Sequence, residues 1–219
     1  MTPRPYTHGE RQRTVDAGRD RILQAALELL QIDNIAAFSL DAVARRAGMT
    51  RMTVYNQFGS KAGLLEELFD LIVERGAFRD MPTVFTQSDA MAALEGFVAI
   101  LGRFYTENRP VLTRMRTVAG TDPDFDEAMR QRHERRRHAI GALLERLRKQ
   151  HKPVIAAAEL LNTVDVLLGF NTFDALAGPA RTPSDVVPLV QQMLRGVLGV
   201  EDKRKRSPRK TGRKPRRTR

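Results

Sequence analysis

Twenty residues, Ser39 to Phe58 (SLDAVARRAGMTRMTVYNQF), constrain the fold of this chain more than any other stretch. Leu40, Val43, Ala44 and Ala47 recur at helical spacing and give a first short helix one apolar face. Gly48 follows where a helix commonly ends in the left-handed conformation, which glycine enters without the steric cost of a Cβ. Thr50 then stands where a side-chain oxygen caps the next helix by accepting a backbone N–H. Val54 and Phe58 return that second helix's apolar side to the first. Ala44, four residues before the glycine, lets the two helices cross closely, and Val54, six after it, packs the crossing.

Two helices crossing at a fixed angle about a glycine turn are the sequence form of a helix-turn-helix, whose second helix enters the DNA major groove. Its outward side here carries Arg51, Met52, Thr53, Asn56 and Gln57. Arg grips guanine, and Asn or Gln grips adenine, through paired hydrogen bonds; Thr or Met touches a thymine methyl. An ordinary pair of core helices uses the same turn, so the residues beyond it matter. YNQFGSKAGLL (55–65) continues with a second turn, a cap at Ser60 and a further helix opening at Lys61.

Taken together, ILQAALELL, SLDAVARRAG, MTRMTVYNQF and SKAGLL resemble the TetR family of bacterial regulators, over about residues 19–75. The resemblance implies an all-α protein: an N-terminal helix-turn-helix domain of three helices and a C-terminal helical domain for ligand binding and dimerisation. It implies that Tyr55 and Lys61 contact phosphates, Lys61 from a helix N-terminus where backbone N–H groups also favour an anion. The expected DNA-facing set is Ser39, Thr50, Arg51, Met52, Thr53, Tyr55, Asn56, Gln57 and Lys61. Two positions depart from the family pattern: Met52 stands where Gly or Lys is frequent, and Gln57 where His is. Asn34 replaces a usual helix-ending glycine, and Asn tolerates the left-handed conformation.

The expected division is a flexible basic arm (1–17), the DNA-binding domain (18–75), an effector and dimerisation domain (76–200) and a basic tail (201–219). Ile22, Ala26, Leu29 and Leu30 mark a first helix over about Asp16 to Asp33, with Ile35 packing as the chain turns. Leu64, Leu65, Leu68, Phe69 and Ile72 mark a linking helix from Lys61 to about Phe78, and Gly76, Asp80 and Pro82 mark its end. Further helices are expected over about 88–107, 111–119, 124–150, 153–176 and 187–200. The last two, nearly apolar, exceed what a monomer core needs and point to a homodimer through Ala156–Leu176 and Val187–Leu198. A two-fold dimer also suits a palindromic operator read in successive major grooves.

The resemblance places a small-molecule effector among the middle helices. The candidate lining is Phe97, Phe104, Met115, Phe125, Met129, Leu144 and Phe170, with Arg116 or Asn171 as polar anchors. These candidates hold no dense charged cluster, which points to an apolar or amphipathic effector.

Charge and chemistry narrow the remaining classes. The net charge of +11 sits entirely in residues 203–219, which hold eleven Lys and Arg and no acid. The other 26 of the 37 basic residues balance 26 acidic ones. This tail cannot bury a core and is expected to be disordered in isolation, a non-specific phosphate binder or a solubility tail. It supports the alternative function, a weakly specific architectural DNA-binding protein. The chain has no cysteine, no glycine-rich phosphate loop and no nucleophile signature, so neither an enzyme nor a cofactor is expected. His133 and His138, in HERRRH, are five apart; on a helix that is about 500°, leaving the rings about 140° apart and unable to share one metal. With no signal-peptide core and no membrane-length apolar run, a cytoplasmic location is expected.

Overall fold

Side-chain caps and glycines cut the chain into helices much as that spacing demands. The computed structural model describes residues 8–32, 38–151, 153 and 155–200, and the backbone alone for 8–15 and 77. In order the helices are α1 (His8–Gln31), α2 (Leu40–Ala47), α3 (Arg51–Phe58), α4 (Lys61–Arg75), α5 (Met81–Thr86), α6 (Ala90–Glu107), α7 (Arg109–Ala119), α8 (Pro123–Gln150), α9 (Ala157–Leu167), α10 (Phe170–Ala177) and α11 (Val187–Leu198). Short 3-10 turns at Ala77–Asp80 and Pro183–Val186 precede α5 and α11. No strand occurs among the described residues, and the protein is all-α.

Three boundaries differ from the expectation. First, α1 begins at His8, so residues 8–17, expected within a flexible arm, are helical. That expectation rested on polarity and on Pro3 and Pro5, but the stretch from His8 holds Glu10, Arg11 and Arg13, good helix formers, and no proline. Second, α4 stops at Arg75 rather than near Phe78, and α5 forms where only a boundary was expected. Its Pro82 lies in the first turn, where a missing N–H costs nothing. Third, the single helix expected from Pro153 to Leu176 is two, α9 and α10, parted at Gly169 with φ −73° and ψ 147°. The break leaves the Leu168 carbonyl to accept from the buried Tyr105 hydroxyl at 2.9 Å, a partner that a buried phenol needs. The turn at Asn34, the packing of Ile35, residues 1–7 of the arm and the 201–219 tail lie outside the described residues.

The apolar stripes meet in one core. Ile22, Ala26 and Leu30 of α1 share it with Val43 and Ala44 of α2, Val54 of α3 and Leu64, Leu65 and Leu68 of α4. The same core continues through Leu94, Phe97 and Leu101 of α6, Ile140, Leu143 and Leu147 of α8, Phe173 of α10 and Leu194 of α11. Burying each of these Val, Leu, Ile and Phe side chains contributes about 1.5–3 kcal/mol. Helix α4 carries this core from the helix-turn-helix into the larger helical part, and α1 meets α7 beside it, where Arg114 donates to the Leu30 carbonyl at 2.8 Å.

Candidate nucleic-acid interface and the cavity behind it

Local hydrogen bonds set the ends of α2, α3 and α4. Ser39 Oγ accepts from the Ala42 N–H at 3.2 Å and starts α2. Gly48, at φ 64° and ψ 39°, ends it in the left-handed region, its N–H donating to the Arg45 carbonyl at 3.2 Å. Thr50 Oγ1 accepts from the Thr53 N–H at 3.1 Å and forms a hydroxyl–hydroxyl hydrogen bond with Thr53 Oγ1 at 2.8 Å. Ser60 Oγ accepts from the Gly63 N–H at 2.9 Å. Each cap stabilises its helix by about 1 kcal/mol.

Two arginines of α1, not singled out in the sequence, lock the motif from behind. Arg21 Nη2 donates to the Ala47 carbonyl at 2.6 Å, and Arg19 Nη1 to the Gln57 carbonyl at 3.2 Å. Both acceptors are C-terminal carbonyls without helical partners, where a cation is favoured. Arg19 also pairs with Glu67 at 2.6 Å and stands 4.7 Å from the Phe58 ring. Their place on the flank of the Ile22 stripe was the available signal.

With Val54 and Phe58 buried, the opposite side of α3 faces outward. Arg51, Met52, Tyr55 and Asn56 are exposed, Met52 at 65% and Tyr55 at 54%. Thr53 is half-buried, as is Lys61, whose Nζ lies 6.0 Å from the Phe38 ring. Arg51 comes within 3.7 Å of Asp41, but both are exposed and such a pair holds little energy. Gln57 differs from the expectation. Its Oε1 is buried without a hydrogen-bond partner, and its amide nitrogen lies beside Gly18 of α1.

A cavity of about 510 Å³ lies on the far side of α4. Phe69, Asp70 and Val73 of α4 form one wall, Phe97, Leu101, Phe104 and Tyr105 of α6 another, and Met129, Arg132, His133, Arg135 and Arg136 of α8 a third, with Phe170 at an end. Of the expected lining, Phe97, Phe104, Met129 and Phe170 are there. Met115 and Phe125 are buried in the core without lining it. Leu144 lines a separate groove of about 440 Å³ between α8 and α9. The expected anchors Arg116 and Asn171 bond to each other at 2.8 Å, in an exposed position off the cavity lining. The cavity's cationic groups come instead from the charged middle of α8, with Asp70 of α4 and Tyr105 of α6 as its other polar groups.

Those groups are held in two clusters. Arg132 forks onto Asp70 of α4, Nη2 reaching Oδ2 at 2.7 Å, and its hydrogen bonds hold the Asp70 carboxyl below the usual carboxylate range. Asp165 of α9 is 4% exposed and accepts from Arg136 at 2.8 Å, Arg137 at 3.1 Å and His133 Nε2 at 2.8 Å. Burial pushes the Tyr105 hydroxyl above its ordinary pKa, so it stays neutral as it donates to Leu168. His138 Nδ1 lies 2.9 Å from the Glu134 carbonyl, so the two histidines of HERRRH serve different partners. Among the described residues no group of three or more His, Cys, Asp or Glu could hold a metal, and no helix is long and apolar enough to cross a membrane. Val166 of α9 is 66% exposed, and Leu189 and Met193 of α11 are also exposed.

Comparison with known proteins follows the same division. Residues 22–68 match the sequence profile described as bacterial regulatory proteins, tetR family. A nucleoid occlusion factor SlmA from Marinomonas sp. (strain MWYL1) is 30% identical over 142 residues, 65% of this chain and 68% of that protein. Among solved structures, a putative TetR-family transcriptional regulator from Syntrophomonas wolfei superposes with a TM-score of 0.69 at 14% identity, covering 84% of this chain and 96% of that one. A putative transcriptional regulator from Saccharomonospora viridis, in complex with choline, superposes at 0.62 and 21% identity, covering 83% and 95%. At these identities the two structures show a shared fold.

Proposed function

This chain belongs to the tetR family of bacterial regulatory proteins and is a DNA-binding transcriptional regulator, and we propose that it is a repressor released from its operator by a small molecule. One observation carries the ligand response. The cavity is walled by Phe69, Asp70 and Val73 of α4, the helix that begins at Lys61 beside the DNA-reading α3. A ligand that prefers a shifted α4 weakens DNA binding by the same coupling free energy with which DNA weakens the ligand, typically about 1–3 kcal/mol. A solved structure of the same fold is in complex with choline, so this fold takes small-molecule ligands. The family is one of regulators, so no catalytic role is assigned.

The side chains assigned to DNA are Arg51, Met52, Thr53 and Asn56 for base edges and Tyr55 and Lys61 for phosphates, with Ser39 and Thr50 at the turn ends. Gln57 serves the α1–α3 contact in this arrangement. The working unit is a homodimer: exposed Val166, Leu189 and Met193 supply an apolar face on α9 and α11, within the two segments expected to pair. The setting is the cytoplasm, at the nucleoid when DNA is bound.

A second reading draws on the relative described as a nucleoid occlusion factor and on the cationic tail: a DNA-organising protein with weak sequence preference. Fluorescence anisotropy with the duplex flanking the protein's own gene separates the two. It is run against excess unrelated duplex, for the full chain and for a chain ending at Val200. Under the proposal both forms retain the flanking DNA, and combined Tyr55→Ala and Lys61→Ala changes abolish retention. Loss of the full chain to competitor, with most affinity gone on tail removal, supports the second reading and overturns the first for that DNA.

A further inference from the structure

Arg132 ties the cavity to the DNA-binding half. Its side chain is 13% exposed, and its guanidinium lies 4.9 Å from the Phe69 ring. Its two terminal nitrogens grip both oxygens of Asp70, and Nη2 also donates to the Glu66 carbonyl at 3.1 Å. All three partners sit on α4, so one α8 side chain clips the helix that leads to α3. The clip is replaceable. Asp70 is half-exposed and can turn to water, whereas Arg132 is held in place by the aromatic ring beneath it.

The cavity complements a particular kind of competitor. Its floor is apolar and aromatic, through Phe97, Phe104 and Phe170. Its α8 wall brings Arg135 and Arg136 beside Arg132, and Asp70 is the one acid among the lining residues. The Nε atoms of Arg132 and Arg136 are buried with no acceptor, so present partners do not saturate either guanidinium. A guanidinium fork matches a carboxylate with two parallel hydrogen bonds, the geometry already made with Asp70.

Building on the regulator reading above, we propose that the effector is a small organic carboxylate with an apolar tail, and that its carboxylate displaces Asp70 from Arg132 and so unclips α4 from α8. The tail occupies the aromatic floor, and the head takes the fork. The excess of guanidinium groups disfavours a cationic ligand of the same shape.

Titration calorimetry on the full chain with sodium decanoate and with decyltrimethylammonium tests this. Decanoate is expected to bind the cavity, and decyltrimethylammonium about tenfold or more weakly. Asp70→Asn removes the internal competitor and is expected to tighten decanoate, while Arg132→Met is expected to weaken it about tenfold or more. Decanoate attracted to the basic tail is unchanged by either substitution, so the difference between variants reads the cavity alone. Circular dichroism confirms that both variants are helical; if Arg132→Met does not fold, Asp70→Asn still decides by its sign. Equal binding of the two amphiphiles, or decanoate no tighter in Asp70→Asn, overturns the proposal. The measurement contains no DNA. Retention of flanking DNA without a carboxylate preference therefore sinks this assignment and spares the regulator reading. The expected calorimetry from a chain that competitor strips from its DNA does the reverse.

Discussion

In the helix-turn-helix, the caps that set the starts of the DNA-reading helices span three residues, Ser39 to Ala42, Thr50 to Thr53 and Ser60 to Gly63, and only the brace from Arg19 and Arg21 of α1 comes from farther off. Around the cavity, Asp70 and Arg132 are 62 residues apart, and Asp165, behind the lining, and Arg136 are 29 apart. The first site is written in neighbouring residues and exposes its working side chains. The second is assembled by distant helices and pairs its carboxylates with arginines of α8. Changes at the two sites should therefore be felt by different assays. Substitutions on the exposed side of α3 change DNA binding and leave stability alone, and substitutions in the α8 network change stability first.

The largest effect expected is on the cavity side. Asp165→Ala leaves Arg136 and Arg137 without their buried carboxylate, and chemical denaturation is expected to show a loss of about 3 kcal/mol. A loss below about 0.5 kcal/mol would place Asp165 among ordinary surface charges and erase the contrast. Next comes the reading face. Arg51→Ala is expected to cost about 1–3 kcal/mol of operator binding and relax specificity at one base pair, while Lys61→Ala lowers the salt slope by about one; melting temperatures hold for both. An α3 variant that melts early breaks the division from the other side.

Gly48→Ala lies between the two regions in kind. At φ 64° a Cβ is strained, so about 1–2 kcal/mol of stability should be lost, with DNA affinity falling because the angle between α2 and α3 depends on that turn. The smallest effect is a pH dependence. Arg132 lowers the Asp70 pKa in the folded protein, so the clip stabilises above the unfolded carboxyl value of about 3.9 and is lost as pH falls through the lower folded value. Asp70 is half-exposed, which keeps the effect small. Melting curves of the native protein and Asp70→Asn should differ at neutral pH, draw together as pH falls below about 3.9 and converge only below the lowered folded value.

This contrast also explains what could be read from the chain alone. The turn at Gly48, the caps and the outward face of α3 follow from backbone rules acting over three or four residues, and the structure places them as that reading requires. Gln57 escaped because its direction depends on α1, which packs from 38 residues upstream. Four cavity aliphatic and aromatic residues were legible from helical spacing, but spacing does not distinguish a cavity wall from a filled core, and Met115 and Phe125 are core. The polar anchors were misplaced for a clearer reason. RQRHERRRH has the composition of a solvated helix face, and only the docking of α4 and α9 shows that Arg132 and Arg136 turn inward. The break at Gly169 was hidden because the demand for it, a buried Tyr105 hydroxyl in need of an acceptor, lies on another helix.

The central claim is that two copies of this chain present paired α3 helices to one duplex and that α4 sets their separation. The chain has no cysteine, so a single Arg45→Cys change gives one spin label per subunit on the exposed side of α2, which packs on α3, outside the side chains assigned to DNA. Double electron–electron resonance on the operator-bound protein should return one narrow distance that places the two helices about one DNA turn apart, 34–36 Å. The same labels without DNA should give a broader or shifted distribution. No dipolar coupling between subunits, or a distribution that operator DNA leaves unchanged, would contradict the account.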